Sequence, residues 1–176
     1  MMETPKFQKT REFMFVTTVR DVSGSPRYHI HESYEMLYLI SGKLNFFIED
    51  RVYAVSPGNM ILIPKGAIHK SYNSAAKYRR VVWNFTDTVI DKTMQPMLAE
   101  LFAHQVYAPT DTLFMQNMLK FFMLESQRSR GGDLLADTAS KHYLNILLLH
   151  LIRNRETYRV TDTNITNPTI ERLIRE

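Results

Sequence analysis

Apolar and polar positions along the chain follow two periods, and the change falls near residue 90. Before it, short apolar runs rich in Val, Ile, Phe and Tyr are broken every few residues by Gly, Pro, Asn and Asp, as in strands joined by tight turns. The pattern predicts strands over residues 13–20, 27–31, 34–41, 43–49, 51–55, 60–64, 67–71 and 78–85. Turn signals separate them at Ser41-Gly42, Glu49-Asp50, Ser56-Pro57-Gly58 and Pro64-Lys65-Gly66. About eight short strands at this spacing make a sandwich or a barrel.

After residue 90 the period lengthens to that of helices. Met94, Met97, Leu98 and Leu101 recur at i, i+3, i+4 and i+7, which predicts a short helix over 91–103, with Pro96 tolerated only in its first turn. Pro109-Thr110-Asp111 starts a longer helix whose apolar face is Phe114, Met115, Met118, Leu119, Phe122 and Met123, and Gly131-Gly132 stops it. Asp133 is the expected N-cap of a second long helix, to about residue 155. Two long helices joined by so short a turn predict an antiparallel pair. The stretch from Leu144 to Ile152 is apolar nearly all round, so it needs cover on two sides. We expect the barrel and the partner helix on one side and a second subunit on the other, with Met118, Phe122, Leu144, Leu148 and Leu151 at the dimer contact. Residues 158–167 are polar and read as a linker. Asn167-Pro168 then starts a new helix with Ile170, Leu173 and Ile174 on one stripe, too short to be stable alone. The organisation expected is an arm at 1–12, a barrel at 13–90, helices at 91–157, a linker at 158–167, and at 168–176 the first helix of a further domain.

Composition narrows the function. Over 176 residues, 44% hydrophobic and 11% aromatic content supports a packed core and excludes an extended disordered chain. The absence of Cys removes disulfide frameworks, thiolate zinc sites and cysteine nucleophiles, and fits a reducing, cytoplasmic setting. No run approaches the ~18 apolar residues of a membrane span, and the first residues have no apolar signal core, so no membrane partner is expected. The net charge of +4 raises nucleic acid as a partner. However, residues 1–90 hold 12 basic and 8 acidic side chains in no dense stripe, and residues 91–176 hold 10 of each, so the surface reads as ordinary.

The candidate chemistry lies in the strand region. His29, His31 and Glu35 are all odd-numbered, so an extended chain projects them to one face, and Gly42 follows. A second spacing runs Gly58, Pro64, Gly66, His69, Asn73, with His69 opening a returning strand. Together these resemble the two signature motifs of the cupin superfamily, a small antiparallel β-barrel. The glycine that usually leads the first motif is missing, Gly24 being one residue too close. The resemblance implies that His29, His31, Glu35 and His69 either hold one metal ion or form a metal-free polar cluster. Three imidazoles and one carboxylate suit Fe, Mn, Ni, Cu or Zn, with positions left open for substrate or water.

A narrower resemblance covers the whole chain. A cupin barrel, a helical pair, a polar linker and then "NPTIERLIRE" resembles the N-terminal half of AraC-type transcription regulators. It implies a small-molecule effector, often a sugar, bound in the barrel, with His29, His31, Glu35 and His69 as its polar contacts; Trp83 and, more weakly, Tyr38 offer aromatic faces for a ligand ring, with plain core packing the alternative for Trp83. It also implies a homodimer with no required cofactor, and DNA binding by a domain beyond Glu176. The alternative is a metal-dependent cupin enzyme, a dioxygenase or isomerase, using the same four residues as ligands. Phe46 and Tyr72 are weaker cavity candidates, and residues 77–80 read as a solvated strand end. His142 and His150 lie two helical turns apart, ~12 Å, too far to share a metal. No nucleophile motif, phosphate-binding glycine loop or zinc ribbon is present.

Overall fold

The computed structural model describes residues 6–7, 12–20, 27–72 and 77–160. Its strands are β1 (Lys6–Phe7), β2 (Phe13–Arg20), β3 (His29–Ile30), β4 (Tyr34–Ser41), β5 (Leu44–Ile48), β6 (Arg51–Val55), β7 (Met60–Ile63), β8 (His69–Tyr72) and β9 (Tyr78–Phe85). A 3-10 turn at Asp87–Val89 leads to helix α1 (Gln95–Phe102), a short strand β10 (Val106–Tyr107), and helices α2 (Thr112–Arg130) and α3 (Ala136–Tyr158). β10 was not expected. Pro96 sits in the first turn of α1, where its missing N–H costs nothing.

The strands form two sheets in the orders β1-β3-β8-β5-β6 and β10-β7-β4-β9-β2. All pairings are antiparallel except β1 with β3. Among the described residues no ladder joins the two sheets into a closed barrel. The β4–β5 turn needs Gly42: its φ is +90°, and a Cβ there would lie 2.6 Å from the Lys77 carbonyl oxygen.

Strand parity produces two cores. On β4 the odd positions Leu37 and Leu39 point between the sheets, where they meet Leu44, Phe46, Ile48, Val55, Ile61, Ile63 and Val82. The even position Met36 joins Met60, Leu62, Val81, Trp83 and Phe85 on the outer face, which the helices cover with Leu98, Phe102, Met118, Phe122, Leu144, Leu148 and Leu151. The central strands β4, β7 and β9 are therefore buried on both faces, which is why they read as nearly unbroken apolar runs.

Asp111 caps α2 by accepting the Phe114 N–H at 2.9 Å. Asp133 does not cap α3. The helix begins behind Leu135, and the Asp133 carboxylate instead accepts the Leu135 N–H in the preceding turn. Phe114 at the start of α2 stacks on His150 late in α3, and Phe121 stacks on Tyr143. The residues expected at a subunit contact lie inside the chain's own core: Met118 is 4% exposed, and Phe122, Leu144, Leu148 and Leu151 are 0%. The outer face of the sheet and the partner helix cover the side of that stretch that carries Leu144, Leu147, Leu148 and Leu151. The apolar residues these helices leave exposed include Phe121, Leu124, Ile146 and Leu149.

At its end α3 turns back onto the sheet. The Ala108 N–H donates to the Tyr158 carbonyl at 2.6 Å and the Val160 N–H to the Val106 carbonyl at 3.1 Å, so the expected linker begins bonded to β10. The rest of that linker, the helix at 168–176, Gly24, Asn73, the Tyr72 side chain and all of the 1–12 arm except Lys6, Phe7 and Glu12 lie outside the described residues. Among the described residues no helix is long and apolar enough to cross a membrane.

Candidate metal centre

Four side chains converge at one end of the space between the sheets. His29 on β3 pairs directly with His69, the first residue of β8, and their ring centroids are 4.0 Å apart. His31 follows β3, and its carbonyl accepts the Gly66 N–H at 3.0 Å, tying the Pro64-Lys65-Gly66 turn to the site. Gly66 takes φ +74°, as that turn requires. Glu35 reaches in from the other sheet, on β4. One donor atom from each of the four lies within 4.8 Å of every other. His31, Glu35 and His69 are buried, and His29 is half-buried at the rim.

The hydrogen bonds fix what these rings present. His29 Nδ1 faces the Arg27 carbonyl at 3.3 Å, His31 Nδ1 the Ser33 carbonyl at 2.9 Å, and His69 Nδ1 the Ala67 carbonyl at 2.8 Å. A carbonyl only accepts, so each Nδ1 carries a hydrogen and each ring turns its Nε2 toward the centre. His31 Nε2 lies 3.1 Å from Glu35 Oε2, and His69 Nε2 lies 3.7 Å from the same oxygen. Two acceptors at such distances require a proton or a cation between them. His69 Nε2 is buried without a hydrogen-bond partner, a costly arrangement unless something binds there.

The electrostatics follow from the same geometry. Burial pushes the Glu35 carboxyl up, but the bond from His31 and the nearby His69 ring outweigh it and hold the group well below its usual range. Burial pulls His31 down, and the bond and charge of Glu35 reverse this, leaving it raised. His29 is lowered, by burial first and by the His69 ring second. Three imidazoles presented as Nε2 donors, each oriented by a backbone carbonyl, and one ionised carboxylate fit a divalent Zn, Ni, Fe or Mn ion. Such an ion would act as a Lewis acid on a bound oxygen ligand. The orientation of the donors is the chain's own contribution.

The aromatic candidates lie elsewhere. Trp83, an odd position on β9, points out of the barrel into the helical layer, against Phe15 and Phe122. Tyr38, an even position on β4, packs at the edge of that same outer core. Phe46 does face the interior, in its apolar part. Sequence reasoning missed two residues at the centre, Ser33 and Asn84. The Ser33 hydroxyl and carbonyl both face His31 Nδ1, and the Asn84 amide donates to Glu35 Oε2 at 3.0 Å. The available signal for Asn84 was a lone amide inside the apolar run Val81–Phe85, which must find a partner when buried.

The family comparison agrees with this architecture. Residues 16–85 match the family described as a cupin domain. The matched stretch runs from within β2 to the end of β9 and includes all four converging residues. Solved structures similar to this chain include AerE from Microcystis aeruginosa, at 24% identity and a TM-score of 0.40, over 42% of this chain and 36% of that one. They also include the DMSP lyase DddQ from Ruegeria pomeroyi DSS-3, at 17% identity and a TM-score of 0.40, over 43% and 39% respectively. A cupin-2 domain containing protein from Shewanella frigidimarina shows 21% identity and a TM-score of 0.38, over 45% and 76%. The matched region is thus well under half the length of the first two proteins. No curated protein shows significant similarity to the chain.

Proposed function

We propose that the chain is the small-molecule sensing and dimerisation domain of a cytoplasmic AraC-type transcription regulator, with its effector site at a divalent-metal centre of His29, His31, Glu35 and His69. One observation carries the site: three imidazoles and a carboxylate converge on one point with a donor atom each within 4.8 Å of the others, a set able to hold a cation, and the buried His69 Nε2 has no hydrogen-bond partner. The regulator reading is supported by the resemblance along the chain and by the placement of the helices, which back the strands carrying Glu35 and Asn84. An effector acts only through its differential affinity for two arrangements of barrel and helices, which in turn set the spacing of DNA-binding domains beyond Glu176. The exposed Phe121, Leu124, Ile146 and Leu149 are the surface offered to a second copy.

A metal-dependent cupin enzyme, a dioxygenase or isomerase, is the second reading. It is favoured by a four-donor set that leaves coordination positions for a substrate. One experiment separates the two. Metal-loaded protein is screened against sugars and small metabolites by thermal shift, and each stabilising compound is recovered after incubation. A compound recovered unchanged supports sensing. A compound consumed catalytically refutes it in favour of the enzyme.

A further inference from the structure

We propose that Asn84 is the positioning residue of the metal centre, selecting which oxygen of Glu35 faces the imidazoles and holding it there. This rests on the metal-centre reading above. Glu35 and Asn84 are direct cross-strand partners on β4 and β9, so the register alone places the amide beside the carboxylate. Asn84 is only 9% exposed, within five consecutive buried residues whose other members are Val81, Val82, Trp83 and Phe85. A buried amide among such neighbours is costly unless bonded, and its Nδ2 donates to Glu35 Oε2 at 3.0 Å. Oε2 is also the oxygen that lies 3.1 Å from His31 Nε2 and 3.7 Å from His69 Nε2.

The consequence is chemical. A carboxylate oxygen has two lone-pair directions. Asn84 takes up one on Oε2 and leaves the other for the ion, which holds Glu35 with Oε2 turned toward the imidazoles. An amide does this without adding charge, whereas a carboxylate at position 84 would add a competing anion. Asn84 touches no reacting atom; it acts through Glu35.

The test uses Co(II) as the probe, titrated into metal-free wild type, Asn84→Leu, which keeps the volume and loses the donor, and Asn84→Ala. The expected result is Co(II) binding weakened by about tenfold to a hundredfold, together with visible bands altered in position or intensity. A merely structural role would lower the melting temperature of the metal-free protein and leave the bands unchanged. Affinity within about threefold of wild type, or superimposable bands in a folded variant, overturns the proposal. A second measurement needs no variant: the Asn84 side-chain amide signals of the wild type should shift when Zn(II) is added, and unshifted signals overturn the proposal too. Failure of wild type to bind Co(II) at all removes the metal centre itself, an outcome distinct from failure at Asn84.

Discussion

His69 offers the most direct test of the centre, because metal binding and plain packing predict different results for its removal. The ring is fully buried, with Nδ1 bonded to Ala67 and Nε2 without a partner. If the centre takes a metal, an ion present at 100 times its dissociation constant stabilises the fold by about 2.7 kcal/mol. A chain of this size gains roughly 2–4 °C per kcal/mol, so the wild type should melt about 5–11 °C higher when loaded. His69→Leu removes one of four ligands and should abolish that rise. In metal-free protein the same change should be nearly neutral. It loses one Nδ1 hydrogen bond, about 1 kcal/mol, but also removes an unsatisfied buried acceptor that costs about 1–3 kcal/mol. The assay is differential scanning fluorimetry after chelator treatment, with and without Zn(II), Ni(II), Mn(II) or Fe(II). A wild-type rise near zero with every ion refutes the metal reading. An equal rise in His69→Leu would show that the ion binds elsewhere.

Three further outcomes are expected. Metal affinity should fall on acidification through the imidazole range, with the raised His31 taking up a proton before the lowered His29, because each proton occupies an Nε2 the ion needs; a pH-independent affinity by calorimetry contradicts the ligand assignment. Trp83→Ala should cost about 3–5 kcal/mol of stability while the Zn(II)-induced rise in melting temperature survives, since Trp83 fills the outer core away from the centre; loss of the Zn(II) response with stability kept would place it in the site after all. Leu148→Ala should destabilise the chain by about 2–5 kcal/mol at any protein concentration. Ile146→Lys should leave melting nearly unchanged but convert a dimer to monomer in light scattering, and a persistent dimer moves the interface off the exposed α2–α3 face.

The strands were legible because alternation and turn glycines are local patterns. Parity also put His29, His31 and Glu35 together, but His69 lies on a distant strand and joined them only through the two motif spacings that carry the cupin resemblance. Direction was the harder question. On β9, buried on both faces, Trp83 and Val82 are equally apolar, and nothing local says which one meets the barrel interior. The all-round apolar α3 hid its solvent side in the same way, and the expected interface fell on core residues such as Leu144 and Leu148. Asn84 depends on cross-strand register, a non-local property. β10 has only two residues and exists because β7 and residues 158–160 offer it hydrogen bonds from either side.

The centre is mounted on two very different supports. Glu35 and its partner Asn84 sit on long strands, flanked by neighbours and covered on both faces. His29 belongs to a two-residue strand, and His31 lies just beyond it. Amide hydrogen exchange should therefore be slowest around the carboxylate and faster around these two imidazoles. The acid and its amide are thus set in the most enclosed part of one sheet, while two of the imidazoles hang from one of the shortest strands of the other, so the grip on an ion would be set by the weaker-mounted side.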